Sequence, residues 1–165
     1  MKVSYSALDA AGKKAVDARL EVRLKLFVDA MLRQKYKKGL ILIVGDRPGP
    51  AAPKQFGYHH TPFYSTKYCS GWLNAALHLA GIPESKLIWL NSADQNGKPT
   101  SYDIISQLEP SSIVCLGGNA EKWIQSASRK WDYVKFDHPQ YHKRFKNAKE
   151  YPLIPWLKSV ITYEN

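Results

Sequence analysis

An acid, an amide and an imidazole follow three separate apolar runs in this chain. Asp46 comes directly after "GLILIVG" (39–45), Asn91 closes "KLIWLN" (86–91), and His138 closes "YVKFDH" (133–138). A further run, "SIVCLGG" (112–118), ends on Gly117 and Gly118, with Asn119 next. A carboxylate can orient a water molecule or stabilise a nearby cation. A primary amide offers a donor and an acceptor side by side, which suits the edge of a polar ring. An imidazole can donate to negative charge as it develops. Singly, each residue has an ordinary explanation: Asp46 caps a turn, Asn91 follows a strand, His138 bonds a carbonyl. Together, at successive strand ends, a few converging polar groups make the inventory of a binding site.

The elements around them must bring those ends together. Residues 7–37 read as helix, because Val16, Leu20, Leu24, Phe27 and Met31 recur at spacings of three and four. The basic end "RQKYKK" suits a helix C-terminus, and Gly39 is a candidate cap. The run 39–45 is continuous and rich in β-branched residues, as a strand covered on both faces should be. Helical stretches separate the four apolar runs. "WLNAALHLAGIP" carries Trp72, Leu73, Ala76, Leu77 and Ala80 on one face and stops at Gly81. "SYDIISQLEP" starts at Ser101 as N-cap, "NAEKWIQSA" follows the third run, and the tail closes with a last helix. Strands alternating with helices predict an α/β three-layer sandwich around a short, mostly parallel four-stranded sheet. Right-handed crossovers place helices on both faces. The chain reads as one domain, 1–165, with an N-terminal helical segment (1–38) and an α/β core (39–165). In such sheets the site lies beyond the carboxyl ends of the strands. The longest loop, about 46–66, exceeds what a plain connection needs and is assigned to function or flexibility.

Composition narrows the partners. The chain has 24 Lys+Arg against 14 Asp+Glu, a formal charge of +10. A polyanion, most commonly nucleic acid, is the natural partner of such a surface, although charge alone leaves a merely basic soluble protein equally open. Cys69 and Cys115 are too few for a four-ligand metal cage, and Cys115 lies inside an apolar run as a small core residue. His59 and His60 form a local pair without a suitably spaced third ligand, so no metal or cofactor is expected. No apolar run spans a bilayer and the N-terminus has no signal core. A cytoplasmic monomer is expected, nucleoid-associated in a bacterium or a virus. Near the C-terminus, "SRKWDYVKFDHPQYHKRFKNAKE" interleaves basic residues with Trp131, Tyr133, Phe136, Tyr141 and Phe145. Tyr133 and Phe136 are read as core, whereas Lys143 and Arg144 suit phosphates.

The order of these motifs resembles the uracil-DNA glycosylase superfamily. "GDRPGP" is similar to its first motif, closest in form to the single-strand-selective monofunctional and thermophile-type branches. "TPFYS" resembles the segment whose aromatic stacks on the flipped base. "LIWLNS" resembles the strand whose asparagine reads the base edge, and "FDHPQYHKRF" the loop that carries the catalytic histidine and the minor-groove wedge. The likeness covers roughly residues 40–158. It implies catalytic roles for Asp46 and His138, and base binding by Gly45, Phe63 and Asn91. It implies DNA contact by Arg47, Gly117, Gly118, Gln140, Tyr141, Lys143 and Arg144. Such a protein excises a base in DNA repair. The chain departs from the pattern at Arg47, where the superfamily has Asp, Asn or Ala, at Ser65 for a glycine, and at Gln140 for a serine. Two cysteines exclude the iron–sulfur cluster of the thermophile-type branch.

Three readings follow. One is a DNA glycosylase acting on uracil or a modified pyrimidine. Another is a non-catalytic DNA-binding module on the same fold. The third is a nucleotide-acting enzyme with Arg47 as phosphate clamp. Fold alone does not choose among them.

Overall fold

The computed structural model describes residues 3–47, 61–146 and 149–162. Pro48, Gly49 and Pro50, the stretch 51–60 and the His59–His60 pair lie outside the described residues. The elements are α1 (Ala10–Met31), β1 (Ile41–Gly45), α2 (Tyr68–Leu79), β2 (Leu87–Asn91), α3 (Asp103–Leu108), β3 (Ser112–Leu116), α4 (Gly118–Gln125), β4 (Val134–Phe136), α5 (Pro139–Phe145) and α6 (Leu153–Thr162). Short 3-10 turns precede α1 at Tyr5–Ala7 and β2 at Glu84–Lys86.

The four strands form one sheet in the order β2-β1-β3-β4, with every pairing parallel. β1 is central and buried at every residue. Its side chains alternate between two apolar layers, as a strand with period two requires. Ile41 and Ile43 join Trp72, Leu73 and Leu77 of α2 and Leu153, Ile154 and Leu157 of α6. Leu42 and Val44 join Ile105 and Leu108 of α3 and Ala120, Trp123 and Ile124 of α4. The continuous apolar run thus reflects cover on both faces, and the three-layer α/β sandwich expected from the sequence is the fold observed. Cys115 is fully buried in the second layer, and burial pushes its thiol up to about 12.

Element ends differ from expectation in instructive ways. The N-terminal helix starts at Ala10, where the Asp9 carboxylate accepts from the Gly12 N–H at 2.7 Å, the bond that an N-cap makes. It ends at Met31, so Gly39 does not cap it and instead belongs to the turn before β1. Its buried face carries Val16, Leu20, Arg23, Phe27 and Ala30, while Leu24 and Met31 are only half-buried. α2 ends with bonds from the Gly81 N–H to the His78 carbonyl and from the Ile82 N–H to the Leu77 carbonyl, a Schellman closure. At α3 the Ser101 hydroxyl accepts from the Asp103 N–H at 3.3 Å, and Tyr102 occupies the cap. Among the described residues, no helix is long and apolar enough to cross a membrane.

Candidate functional site

Because all four strands run the same way, their carboxyl ends share one edge. The chain leaves β1 toward β2 on one side and later returns to β3 on the other, so the crevice between β1 and β3 is the switch point of the sheet. Asp46, just beyond β1, is held there by its backbone. Its carbonyl accepts from the Ser92 hydroxyl at 2.9 Å and from the Ala93 N–H at 3.2 Å. Its carboxylate Oδ2 accepts from Asn119 Nδ2 at 3.0 Å. Asn119 lies in the first turn of α4, so this bond ties the end of β1 to the start of the helix after β3.

Gly45 and Asn91 are register partners at the ends of β1 and β2. A Cβ on Gly45 would lie 3.1 Å from Asn91 Oδ1 and 3.2 Å from Phe63 Cε2. Any side chain there would force the amide and the ring away. The absent side chain therefore lets a planar ring and a donor–acceptor pair meet at the strand end. The Phe63 ring stands 5.6 Å from the His138 ring and 5.9 Å from Trp89, the latter edge-on.

His138 caps α5. Its Nδ1 accepts from the Gln140 N–H at 3.1 Å, so the neutral ring carries its proton on Nε2. Burial lowers its pKa, and the nearby Asp46 carboxylate opposes that shift. A neutral Nε2–H donor near physiological pH is the consequence. The loop is pressed against the end of β3, where a Cβ on Gly117 would approach His138 Cβ to 3.0 Å. Gly117 has φ +98° and its N–H donates to the Phe136 carbonyl at 2.9 Å. Buried Gly117 thus positions His138, and Gly118 is exposed at the start of α4.

Arg47 is exposed. Its Nη1 lies 3.8 Å from where a Cβ of Gly97 would sit, over the turn that follows β2. The bond to the Asp46 carboxylate comes from Asn119.

α5 carries the remaining candidates. Gln140, Lys143 and Arg144 are exposed. Tyr141 and Phe145 are 48% and 64% exposed and pack side by side, tilted by 50° with centroids 5.0 Å apart. Arg144 lies over the Phe145 ring and Lys146 over the Tyr141 ring. Two exposed aromatics in a basic setting are uncommon on a surface that only meets water. Tyr133 and Phe136 are partly buried against the core, and the Tyr133 hydroxyl donates to Glu121 at 2.9 Å.

Sequence reasoning assigned no role to Asn119 and Ser92, although both stand at strand ends. It missed Phe145 as a partner for Tyr141. It also missed Arg23, Asn74 and Glu84, which form a buried polar cluster behind Phe63. The one signal for that cluster was an arginine at the core spacing of an otherwise apolar helix face.

No family model matches this chain, and no curated protein matches it.

Proposed function

We propose that this chain holds a pyrimidine base, uracil or a modified uracil, turned out of DNA, and hydrolyses the bond that joins it to the sugar. The observation that carries the reading is the meeting of Phe63, His138 and Asp46, with Asn91 and Gly45 beside them, at the carboxyl edge of the sheet. Phe63 offers a flat apolar face for a flipped base. Asn91 offers the donor and acceptor that a pyrimidine edge needs. In the reaction a water oxygen bonds to C1′ as the C1′–N1 bond breaks, and the bonding pair leaves with the base. The His138 Nε2–H stabilises the negative charge arriving on a base oxygen. Asp46 accepts the proton of the attacking water or faces the positive sugar, and Asn119 orients its carboxylate. The free base then takes up a proton. Tyr141, Phe145, Lys143 and Arg144 engage the strand around the opened base. Base excision in DNA repair is the process such chemistry serves.

Arg47 supports a second reading. Exposed over the 94–97 turn, it suits a phosphate, whether of DNA or of a free nucleotide.

The test is a gel assay on single- and double-stranded oligonucleotides carrying uracil, 5-hydroxymethyluracil or hypoxanthine, with alkali to reveal abasic sites. Cleavage that falls about 100-fold or more in His138→Ala and in Asp46→Ala supports the enzyme. Salt-sensitive DNA binding without cleavage by the wild type supports a non-catalytic module. Competition by deoxyuridine monophosphate at concentrations comparable to DNA supports the nucleotide enzyme.

A further inference from the structure

Directly behind Phe63 lies a buried polar cluster. Arg23 is 1% exposed, Asn74 0% and Glu84 6%. The Arg23 guanidinium directs every one of its N–H groups at an acceptor. Nε donates to Glu84 Oε2 at 3.2 Å, and Nη2 donates to Glu84 Oε1 and to Asn74 Oδ1, both at 2.8 Å. Nη1 donates to the Phe63 carbonyl at 3.2 Å and to the Pro62 carbonyl at 3.5 Å. Asn74 Nδ2 donates to the same Phe63 carbonyl at 2.9 Å and to the Ser65 carbonyl at 3.0 Å. Arg23 also lies 4.0 Å over the Trp89 ring, whose Nε1–H donates to Glu84 Oε2 at 2.6 Å. Trp89 in turn meets the Phe63 ring edge-on.

All of this converges on one backbone position. Phe63 has φ +54°, the left-handed region that a bulky residue enters only when its surroundings hold it there. Its carbonyl receives three donors: Arg23, Asn74 and the Ser65 N–H at 3.0 Å. Burying an arginine–glutamate pair is a poor way to gain stability, because apolar residues of the same volume commonly do as well. It is an effective way to hold a backbone turn in one conformation, because a planar fork fixes several directions at once.

We propose that Arg23, Asn74 and Glu84 are positioning residues that lock the Phe63 turn, and so hold the Phe63 ring square to its ligand. The ligand half of this rests on the base-binding reading above; the locking half does not. The cluster touches no reacting atom. It acts through the Phe63 carbonyl on one side and Trp89 on the other.

The experiment uses the full chain with 4-fluorophenylalanine at position 63. Arg23→Lys keeps the charge and loses the fork. Asn74→Ala removes the amide donor from the Phe63 carbonyl and is the milder change should Arg23→Lys fail to fold. Arg19→Ala removes the outer arginine on Glu84 and leaves the Phe63 carbonyl untouched. The expected result is a displaced or broadened fluorine resonance in Arg23→Lys and Asn74→Ala, with the wild-type signal kept in Arg19→Ala even where its Tm falls. An unmoved resonance in folded Asn74→Ala overturns the proposal. On a cleaved uracil oligonucleotide, Asn74→Ala is expected to lose roughly tenfold in kcat/KM, and nothing further when added to Phe63→Ala, since residues acting through one another do not add. Full additivity overturns the link to the ligand. A wild type that neither binds nor cuts uracil DNA removes the base reading, and the fluorine signal then decides the locking by itself.

Discussion

Two polar clusters meet at Phe63, one on each side, and they are built on opposite principles. Behind the residue, Arg23, Asn74 and Glu84 are buried, and the arginine's hydrogen-bonding capacity is spent inside the protein. In front, Asp46, Asn91 and His138 are half-buried, and the His138 Nδ1 accepts from the Gln140 N–H, which leaves the neutral ring's proton on Nε2. The rear cluster is closed upon itself and the Phe63 backbone, whereas the front one lies at the open carboxyl edge of the sheet, where the proposed base would sit. The difference teaches that a strained backbone position and the ring it carries can be served by separate sets of neighbours, and on the proposed function the ring is then left to meet the base.

The sharpest break of this contrast is Glu84→Ala. It leaves two arginines without their carboxylate, one fully buried, and is expected to cost about 3–5 kcal/mol in urea denaturation. A cost below about 1 kcal/mol, the range of an exposed pair, would mean that the rear cluster is not the rigid half.

Next in size is Gly117→Ala on the front side. The new Cβ would press on His138 from a backbone at φ +98°, an expected loss of about 1–3 kcal/mol. Uracil-oligonucleotide binding should weaken with it, because His138 must move. Thermal denaturation and a binding isotherm on the same variant check both effects.

A smaller effect concerns protons. Burial favours the neutral His138 ring, so its NMR titration midpoint should fall below the ordinary value of about 6.5. Asp46→Asn removes the charge that opposes this shift and should move the midpoint lower still. The stability sign follows: the unfolded chain binds this proton more readily, so stability falls as pH drops from about 6.5 to the folded midpoint, then levels off. A midpoint above 6.5 would reverse the electrostatic description of the front cluster.

The smallest effect on folding is expected on α5. Lys143→Ala and Arg144→Ala should each change stability by no more than about 0.5 kcal/mol. Each should reduce the slope of log K against log salt for DNA by about one unit. An unchanged slope would remove this helix from the interface.

Much of the fold was legible because its signals are local. A buried parallel strand must be apolar throughout, and "GLILIVG" is. The strand ends at Asp46, Asn91 and His138 could be named without coordinates, because parallel strands put their carboxyl ends on one edge. The end of β1 at Gly45 was legible for the same reason. The rear cluster was not. Arg23, Asn74 and Glu84 are 51 and 10 residues apart in successive steps, and an arginine on a helix normally reads as solvated surface. The helical period pointed to Leu24 and Met31, yet the helix is turned so that Arg23 and Ala30 face inward.

By itself the sequence determined the class of fold, the direction of the strands and which residues stand at their ends, since period and apolar content depend on neighbours a few positions away. Only the tertiary structure decided that Arg47 lies against the 94–97 turn, that Asn119 meets the Asp46 carboxylate, and that a buried arginine bonds the Phe63 carbonyl. Those outcomes depend on which distant groups share a dielectric and a hydrogen bond, and that is settled when the layers close.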